Sequence, residues 1–230
     1  MLKLEDCAIA NGNFALRADF EVETGASVAI IGPSGAGKST LLETIAGFRD
    51  LQAGRMFWDQ QNLTDLPPGK RPLAMLFQDG NLFPHLSAEQ NVALGINPNG
   101  RLSQKEQSQV QSALTRVGLS GMGARKPSEL SGGQQSRVAL ARVLVQNRQI
   151  LLLDEPFAAL GPALKADMLD LVADLVAETR TTLLMVSHDP RDAHRIARQT
   201  VLVADGVAHP PVPTAELFEN PPEVLRDYLG

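Results

Sequence analysis

The run Gly32-Pro33-Ser34-Gly35-Ala36-Gly37-Lys38-Ser39-Thr40 leaves this chain few ways to fold. It meets the spacing G-x-x-x-x-G-K-[S/T] through Gly32, Gly37, Lys38 and Ser39. Before it, Ser27–Ile31 is a short apolar run that reads as a strand. After it, Lys38–Ala46 carries Leu41, Leu42 and Ile45 on one helical face, with Gly47 as the residue that stops the helix. Strand, glycine loop and helix in that order form the setting in which such a loop wraps a phosphate. Gly35 and Gly37 permit the dihedrals and the close approach that aim backbone N–H groups at an anion. Lys38 would then reach the β- and γ-phosphates of a nucleotide, and Ser39 would ligate Mg²⁺. The plain alternative is a glycine-rich turn before a helix. The capped helix that follows and a carboxylate pair far downstream both argue against it.

That pair ends a second apolar run, Ile150-Leu151-Leu152-Leu153-Asp154-Glu155-Pro156. Ligands of open α/β sheets bind beyond the carboxyl ends of strands, where Asp154 and Glu155 fall. Two adjacent buried carboxylates are costly as structure alone. They suit a Mg²⁺ ligand beside a base that activates water. A third segment, Leu130-Ser131-Gly132-Gly133-Gln134, puts a serine and two glycines at a helix start, another place for N–H groups to hold an anion. Its bland reading is an N-cap serine with flexible glycines.

The remaining pattern alternates between strands and helices. Leu2–Cys7 and Phe14–Val22 read as strands joined through Asn11-Gly12-Asn13, and Arg55–Asp59 as an edge hairpin strand. Leu73–Phe77, Ile150–Leu153, Thr182–Val186 and Val201–Ala204 are short apolar strands, and helices over Ala163–Glu178 and Arg191–Arg198 separate the last three. Such alternation predicts a parallel sheet covered on both faces. Ser87-Ala88-Glu89-Gln90 and Ser103-Gln104-Lys105-Glu106 are capping boxes, the second followed by Val110, Leu114 and Val117 at helical spacing and closed by Gly118. Residues 80–130 therefore read as a helical subdomain inserted into one α/β domain, whose core is 1–79 and 131–230. The helix after Gln134 turns Val138, Ala141, Leu144 and Val145 inward. The tail from His209 is rich in proline and ends in short amphipathic pieces.

The formal net charge is −5, without a basic stripe, which argues against nucleic acid as a partner. The single cysteine, Cys7, excludes an internal disulfide, suits a reducing compartment, and reads as a buried structural thiol in the first strand. The N-terminus lacks a signal pattern, and no apolar run approaches the ~20 residues that span a bilayer. At a membrane, this chain would be held by another.

Taken together, Gly32–Thr40, Leu130–Gln134 and Ile150–Pro156 resemble the ATP-binding cassette (ABC) family, and the likeness runs from the first strand to about residue 207. The resemblance implies a P-loop NTPase (RecA-like) α/β core with a mostly parallel sheet, an N-terminal antiparallel β part and an inserted α-helical subdomain. It implies ATP as substrate, bound by Gly32 to Thr40, and Mg²⁺ held by Ser39, Asp154 and Gln78. Glu155 would be the base that aligns the attacking water. A strand-end glutamine and a lone histidine are ordinarily solvated or structural residues, but Gln78 and His188 match the family's Q-loop and H-loop. Gln78 would touch Mg²⁺ and water and link the nucleotide to the helical subdomain; His188 would contact the γ-phosphate. Ser131, Gly132, Gly133 and Gln134 would complete the ATP site of a partner subunit. The working unit would be a head-to-tail homodimer, closed by ATP and opened by hydrolysis. Asn81-Leu82-Phe83-Pro84-His85-Leu86-Ser87 would line a groove for a short helix of a membrane permease, its alternative being simple packing onto the insert.

Two places depart from the family pattern. The aromatic residue that stacks on adenine is missing from Cys7–Asn13, and Phe14 is the nearest substitute. After the carboxylate pair the family commonly reads Ser-Ala-Leu-Asp, where this chain has Ala158-Ala159-Leu160-Gly161 and lacks the carboxylate that helps couple the two sites. Within the family, Pro67-Pro68-Gly69-Lys70-Arg71-Pro72, Met75-Leu76-Phe77-Gln78, Gly95-Ile96-Asn97-Pro98 and Leu184-Met185-Val186-Ser187-His188 look most like ATPases of thiamine (or thiamine diphosphate) importers. The implied setting is peripheral, on the cytoplasmic face of a bacterial inner membrane, with permease subunits and, indirectly, a periplasmic substrate-binding protein. Import of iron, molybdate or polyamines is the alternative, as is a weakly hydrolysing ABC regulator, which Gly161 keeps open. A soluble ABC protein of DNA repair or translation would usually carry two cassettes or a long coiled-coil insertion, and this chain has neither.

Overall fold

Strands with apolar residues on both faces need cover on both, and their place is the middle of a sheet. The computed structural model describes residues 1–230 except Asn13, Asp79, Gly100 and Gly230 and the side chains of Asn11 and Leu229, so the expected turn at Asn13 lies outside it. Its parallel core is built from β3 (Ser27–Ile31), β6 (Leu73–Leu76), β7 (Ile150–Asp154), β8 (Thr182–Val186) and β9 (Gln199–Ala204), in the spatial order β9-β3-β8-β7-β6. Successive residues of these strands serve two separate apolar layers. Ala29, Ile31, Leu151 and Leu153 face one layer, and Val28, Ile30, Leu152 and Leu184 face the other.

The N-terminal part is antiparallel: β1 (Leu2–Asn11), β2 (Phe14–Val22), β4 (Ala53–Trp58) and the short edge strand β5 (Gln61–Asn62). It joins the core through β10 (Val207–Ala208), which runs parallel to β2 and antiparallel to β9. One feature of β1 corrects the sequence reading. The strand does not end at Cys7 but continues to Asn11 through an irregularity at Asp6, whose φ is 47°. Both of its pairings shift there. The buried side chains change parity, from Leu2 and Leu4 to Cys7 and Ile9. A bulge adds one residue and moves the apolar set from even to odd positions, so an alternating pattern read from sequence breaks where the strand does not. Cys7 is buried as expected; its Sγ donates to the Arg55 carbonyl at 3.2 Å, and burial pushes the thiol up to about 11.

α1 (Lys38–Ala46) lies on the β1/β2 side of the sheet with Leu41, Leu42 and Ile45 fully buried. On the other side are α5 (Pro162–Thr179) and α6 (Pro190–Ile196), together with a cluster of mutually packed helices, α2 (Ala88–Ala93), α3 (Gln104–Arg116) and α4 (Gly132–Leu144). Ser87 and Ser103 close reciprocal capping boxes with Gln90 and Glu106, and the helical spacing that pointed to Val110, Leu114 and Val117 buries all of them. In α4, Val138 and Ala141 are buried, whereas Leu144 and Val145 are only partly covered. The chain finishes with β11 (Val212–Pro213) against β9, then α7 (Thr214–Glu219) and α8 (Glu223–Leu229), which bury Leu217 and Leu225. Among the described residues, no helix is long and apolar enough to cross a membrane.

Candidate functional site

The parallel strands end in step. Ile31 pairs with Leu202, Ile30 and Asp154 both pair with Val186, and Leu76 pairs with Leu153. One or two residues beyond those pairs stand Gly32, Gln78, Glu155 and His188. Register alone therefore brings to one edge of the sheet residues that are far apart in sequence.

At the glycine loop, two positions admit no side chain. A Cβ on Gly32 would lie 1.9 Å from the Val203 carbonyl oxygen. Gly37 starts α1 with φ 104°, and a Cβ there would lie 2.3 Å from the Phe14 ring. Phe14, the expected substitute for an adenine-stacking residue, thus packs against the loop itself. No side chain caps α1 among the described residues, so its first N–H groups point out of the helix toward the loop. Lys38 is 7% exposed, and its ammonium folds back to donate to the carbonyls of Gly32 at 2.7 Å and Pro33 at 2.9 Å. Burial lowers its pKa, against the opposing pull of the Glu155 and Asp154 carboxylates.

The carboxylates are half-buried at the strand end, not fully buried as the apolar run suggested. Ser39 Oγ donates to Asp154 Oδ1 at 3.0 Å. Burial raises the Asp154 pKa, and the Ser39 hydrogen bond works in the opposite direction. A hydroxyl and a carboxylate side by side form a hard oxygen donor set. It fits Mg²⁺, which takes few protein ligands and completes its shell with water and phosphate oxygens. Glu155 has φ 43°, a left-handed conformation unusual for a side chain of this size. Its Oε2 meets His188 Nδ1 at 3.1 Å. Lys38, Ser39, Asp154, Glu155 and His188 are thereby assembled by the structure.

Gln78, two residues past β6, is exposed. It lines a cleft of about 590 Å³ together with Leu82, Gly132, Gln135, Pro156 and Phe157. The cleft brings the segment after β6 close to the start of α4. There Ser131 is an N-cap: its Oγ accepts from Gln134 N at 3.3 Å, and Gln134 Oε1 accepts from Ser131 N at 3.0 Å. Ser131 and Gly132 are exposed, while Gly133 is buried against Leu164.

Several residues around the site carried no sequence signal. Arg142, on a helix face that reads as solvated, donates to the carbonyls of Gly80 at 2.6 Å and Asn81 at 2.8 Å. Asn91 is fully buried, and its side-chain amide donates to the carbonyls of Phe83, Leu86 and Ser87. These two hold the backbone after Gln78 while Phe83 stays 46% exposed. Behind His188, Lys165 of α5 pairs with Asp192 at 2.6 Å, and the same carboxylate accepts from the Ser187 hydroxyl.

Comparison with known proteins agrees with this layout. The family model described as "ABC transporter" matches residues 16–158. The chain belongs to the ABC transporter family. Along their whole lengths, this chain is 63% identical to the thiamine import ATP-binding protein ThiQ of Ruegeria sp. (strain TM1040) and 56% identical to the protein of the same name from Cereibacter sphaeroides. Among solved structures, the ADP conformation of an ATP-binding cassette of an ABC transporter superposes with a TM-score of 0.90 at 25% identity, covering 100% of this chain and 98% of that one. A dimeric bacterial ABC transporter cassette gives 0.80 at 30% identity, covering 93% of this chain and 99% of the other.

Proposed function

We propose that this chain is the ATP-hydrolysing subunit of a thiamine importer. The observation that carries the hydrolytic part is the meeting of Ser39 with Asp154 and of Glu155 with His188 at the ends of adjacent strands. The cargo is inferred from full-length similarity to thiamine import proteins, because no residue of such a subunit would touch it.

Backbone N–H groups of the run from Gly32 to Thr40, Pro33 excepted, wrap the β-phosphate at the start of α1. Lys38 leaves the carbonyls of Gly32 and Pro33 and turns to the phosphate oxygens. Ser39 and Asp154 would hold Mg²⁺ with Gln78 beside it, and that ion would neutralise charge on the phosphates. Glu155 accepts a hydrogen bond from the attacking water and orients it in line with the γ-phosphate. His188 would donate a ring N–H to a γ-phosphate oxygen. Ser131, Gly132, Gly133 and Gln134 act on the ATP of a second copy. This makes the unit a head-to-tail homodimer, peripheral at the inner membrane. Gln78 and the clamped segment around Phe83 pass closure of the dimer to the permease. Core 1–79 and 131–230 carries the chemistry, and residues 80–130 carry the coupling.

The test is ATPase activity in proteoliposomes that contain the permease. Stimulation by binding protein loaded with thiamine, and not with iron, molybdate or polyamine, is the expected result. Stimulation by one of the others would reassign the cargo. Turnover that stays negligible under every condition would favour a regulator.

A further inference from the structure

The C-terminal helix reaches the histidine that faces the catalytic carboxylate. Helix α8 is anchored by Leu225, which is fully buried, and Val224 and Tyr228 pack on the same core. From the last turn of α8, the Tyr228 hydroxyl donates to the backbone carbonyl of His188 at 3.1 Å. This is the chain's only tyrosine. Burial raises its pKa, and the carboxylates of Glu155 and Asp189 add to the rise, so the phenol keeps the proton it donates.

The peptides on either side of His188 are gripped from other elements. Asp189 N donates to Ser187 Oγ at 3.1 Å, Ser187 donates to Asp192, and Lys165 neutralises Asp192 from α5. Residues 187–189 are therefore held by α5 and α6 on one side and by α8 on the other. Between these grips the His188 side chain stands about half exposed and meets Glu155. Loss of the Tyr228 bond would leave the His188 carbonyl without this hold and loosen the main chain from which the imidazole reaches Glu155.

We propose that Tyr228 is a positioning residue for ATP hydrolysis: its hydroxyl, bound to the His188 carbonyl, fixes the histidine's main chain so that the imidazole faces Glu155 and the γ-phosphate. The proposal rests on the ATPase reading above. Tyr228 contacts the main chain of His188 and acts through it.

The test is Tyr228→Phe in the full chain, which keeps the ring and its packing and removes only the donor. One hydrogen bond of this kind predicts a fall in kcat of roughly two- to tenfold. KM for ATP should stay within about twofold, because the phosphate loop is untouched. In a His188→Ala background the same change should have no further effect, since residues acting as one unit are not additive. Unchanged kcat, or an equal fall in both backgrounds, would overturn the proposal. Amide exchange across residues 186–191 reads the contact without turnover. It should quicken in Tyr228→Phe, and unchanged exchange would also overturn the proposal. A wild-type protein that hydrolyses nothing would sink the ATPase reading instead, and the exchange measurement would then decide the contact alone.

Discussion

Two helix starts in this chain carry glycines next to a hydroxyl residue, and they are built in opposite ways. At α1 the loop is locked into the sheet. Gly32 lies against Val203, Gly37 against Phe14, Lys38 is buried, and Ser39 is tied to Asp154. At α4 the segment closes on itself through the Ser131–Gln134 capping box and exposes Ser131 and Gly132 to solvent. The first start has its cation, its hydroxyl and its carboxylates at hand. The second has only N–H groups and a serine, with no charge of its own in its first turn. An anion site assembled from both needs one of each, and the second would come from another copy of the chain. The dimeric cassette among the structural relatives is consistent with that division.

Breaking the locked start should have the larger consequences. Glu155→Gln should cut hydrolysis by about 10²–10⁴-fold, the usual worth of a positioned base, while ATP still binds. Single-turnover hydrolysis and nucleotide binding measured on one preparation check it, and near-normal turnover would remove Glu155 from the role of base. Lys38→Ala should weaken ATP binding by roughly a hundredfold, because a buried cation directed at phosphate is lost. Titration with a fluorescent ATP analogue reads this directly. Equal affinity in the variant and the wild type would contradict the phosphate-loop assignment.

The exposed start should behave differently. Ser131→Arg leaves α1 intact, so ATP should bind with affinity within about threefold of wild type. The arginine would fill the space meant for the partner's γ-phosphate, and ATP-driven dimerisation should fall by at least about tenfold. Size-exclusion chromatography with light scattering, in a Glu155→Gln background, separates the two effects. Turnover is read with Glu155 intact: a Ser131→Arg single variant that stays monomeric and hydrolyses at the wild-type rate would end the two-chain reading.

The same contrast explains what could be read from the sequence. The glycine loop, the carboxylate pair and the capping boxes are local: their residues lie within a few positions of each other, and the physics that selects them acts over one turn. The parallel core was legible because short apolar runs need cover on both faces. Contacts between distant segments were not legible. Ser39 and Asp154 are 115 positions apart, and Tyr228 and His188 are 40 apart. Only the sheet register and the docking of α8 bring these pairs together. The clamps by Arg142 and Asn91 were hidden because a polar residue on a helix reads as solvated until its neighbours are known. The first strand was read too short because the bulge at Asp6 reverses the alternation that defined it.

A third helix start lies between the two in character, and its effect should be the smallest. Gly161 opens α5 with φ −64° and ψ 156°, a conformation open to any residue, and a Cβ there would meet nothing within 4 Å. The glycine is therefore not required by backbone or by space, and Gly161→Asp should fold. An aspartate at this N-cap can accept from the free N–H groups of α5 and interact with its dipole, together worth about 0.3–1 kcal/mol. For a chain of this size that is roughly 1–4 °C in Tm. If the carboxylate instead crosses to a partner's glycine loop, it adds a charge-assisted hydrogen bond to the closed dimer, and ATP-driven dimerisation should rise by about tenfold or more. The two uses compete for one side chain, so Tm without nucleotide and dimerisation with ATP should be measured together. A rise in both places Gly161 as a missing part of the coupling between sites. A rise in Tm alone means the aspartate caps its own helix and the natural glycine costs the dimer nothing. A clear loss of turnover with the fold intact would mean that the bare helix start is itself required.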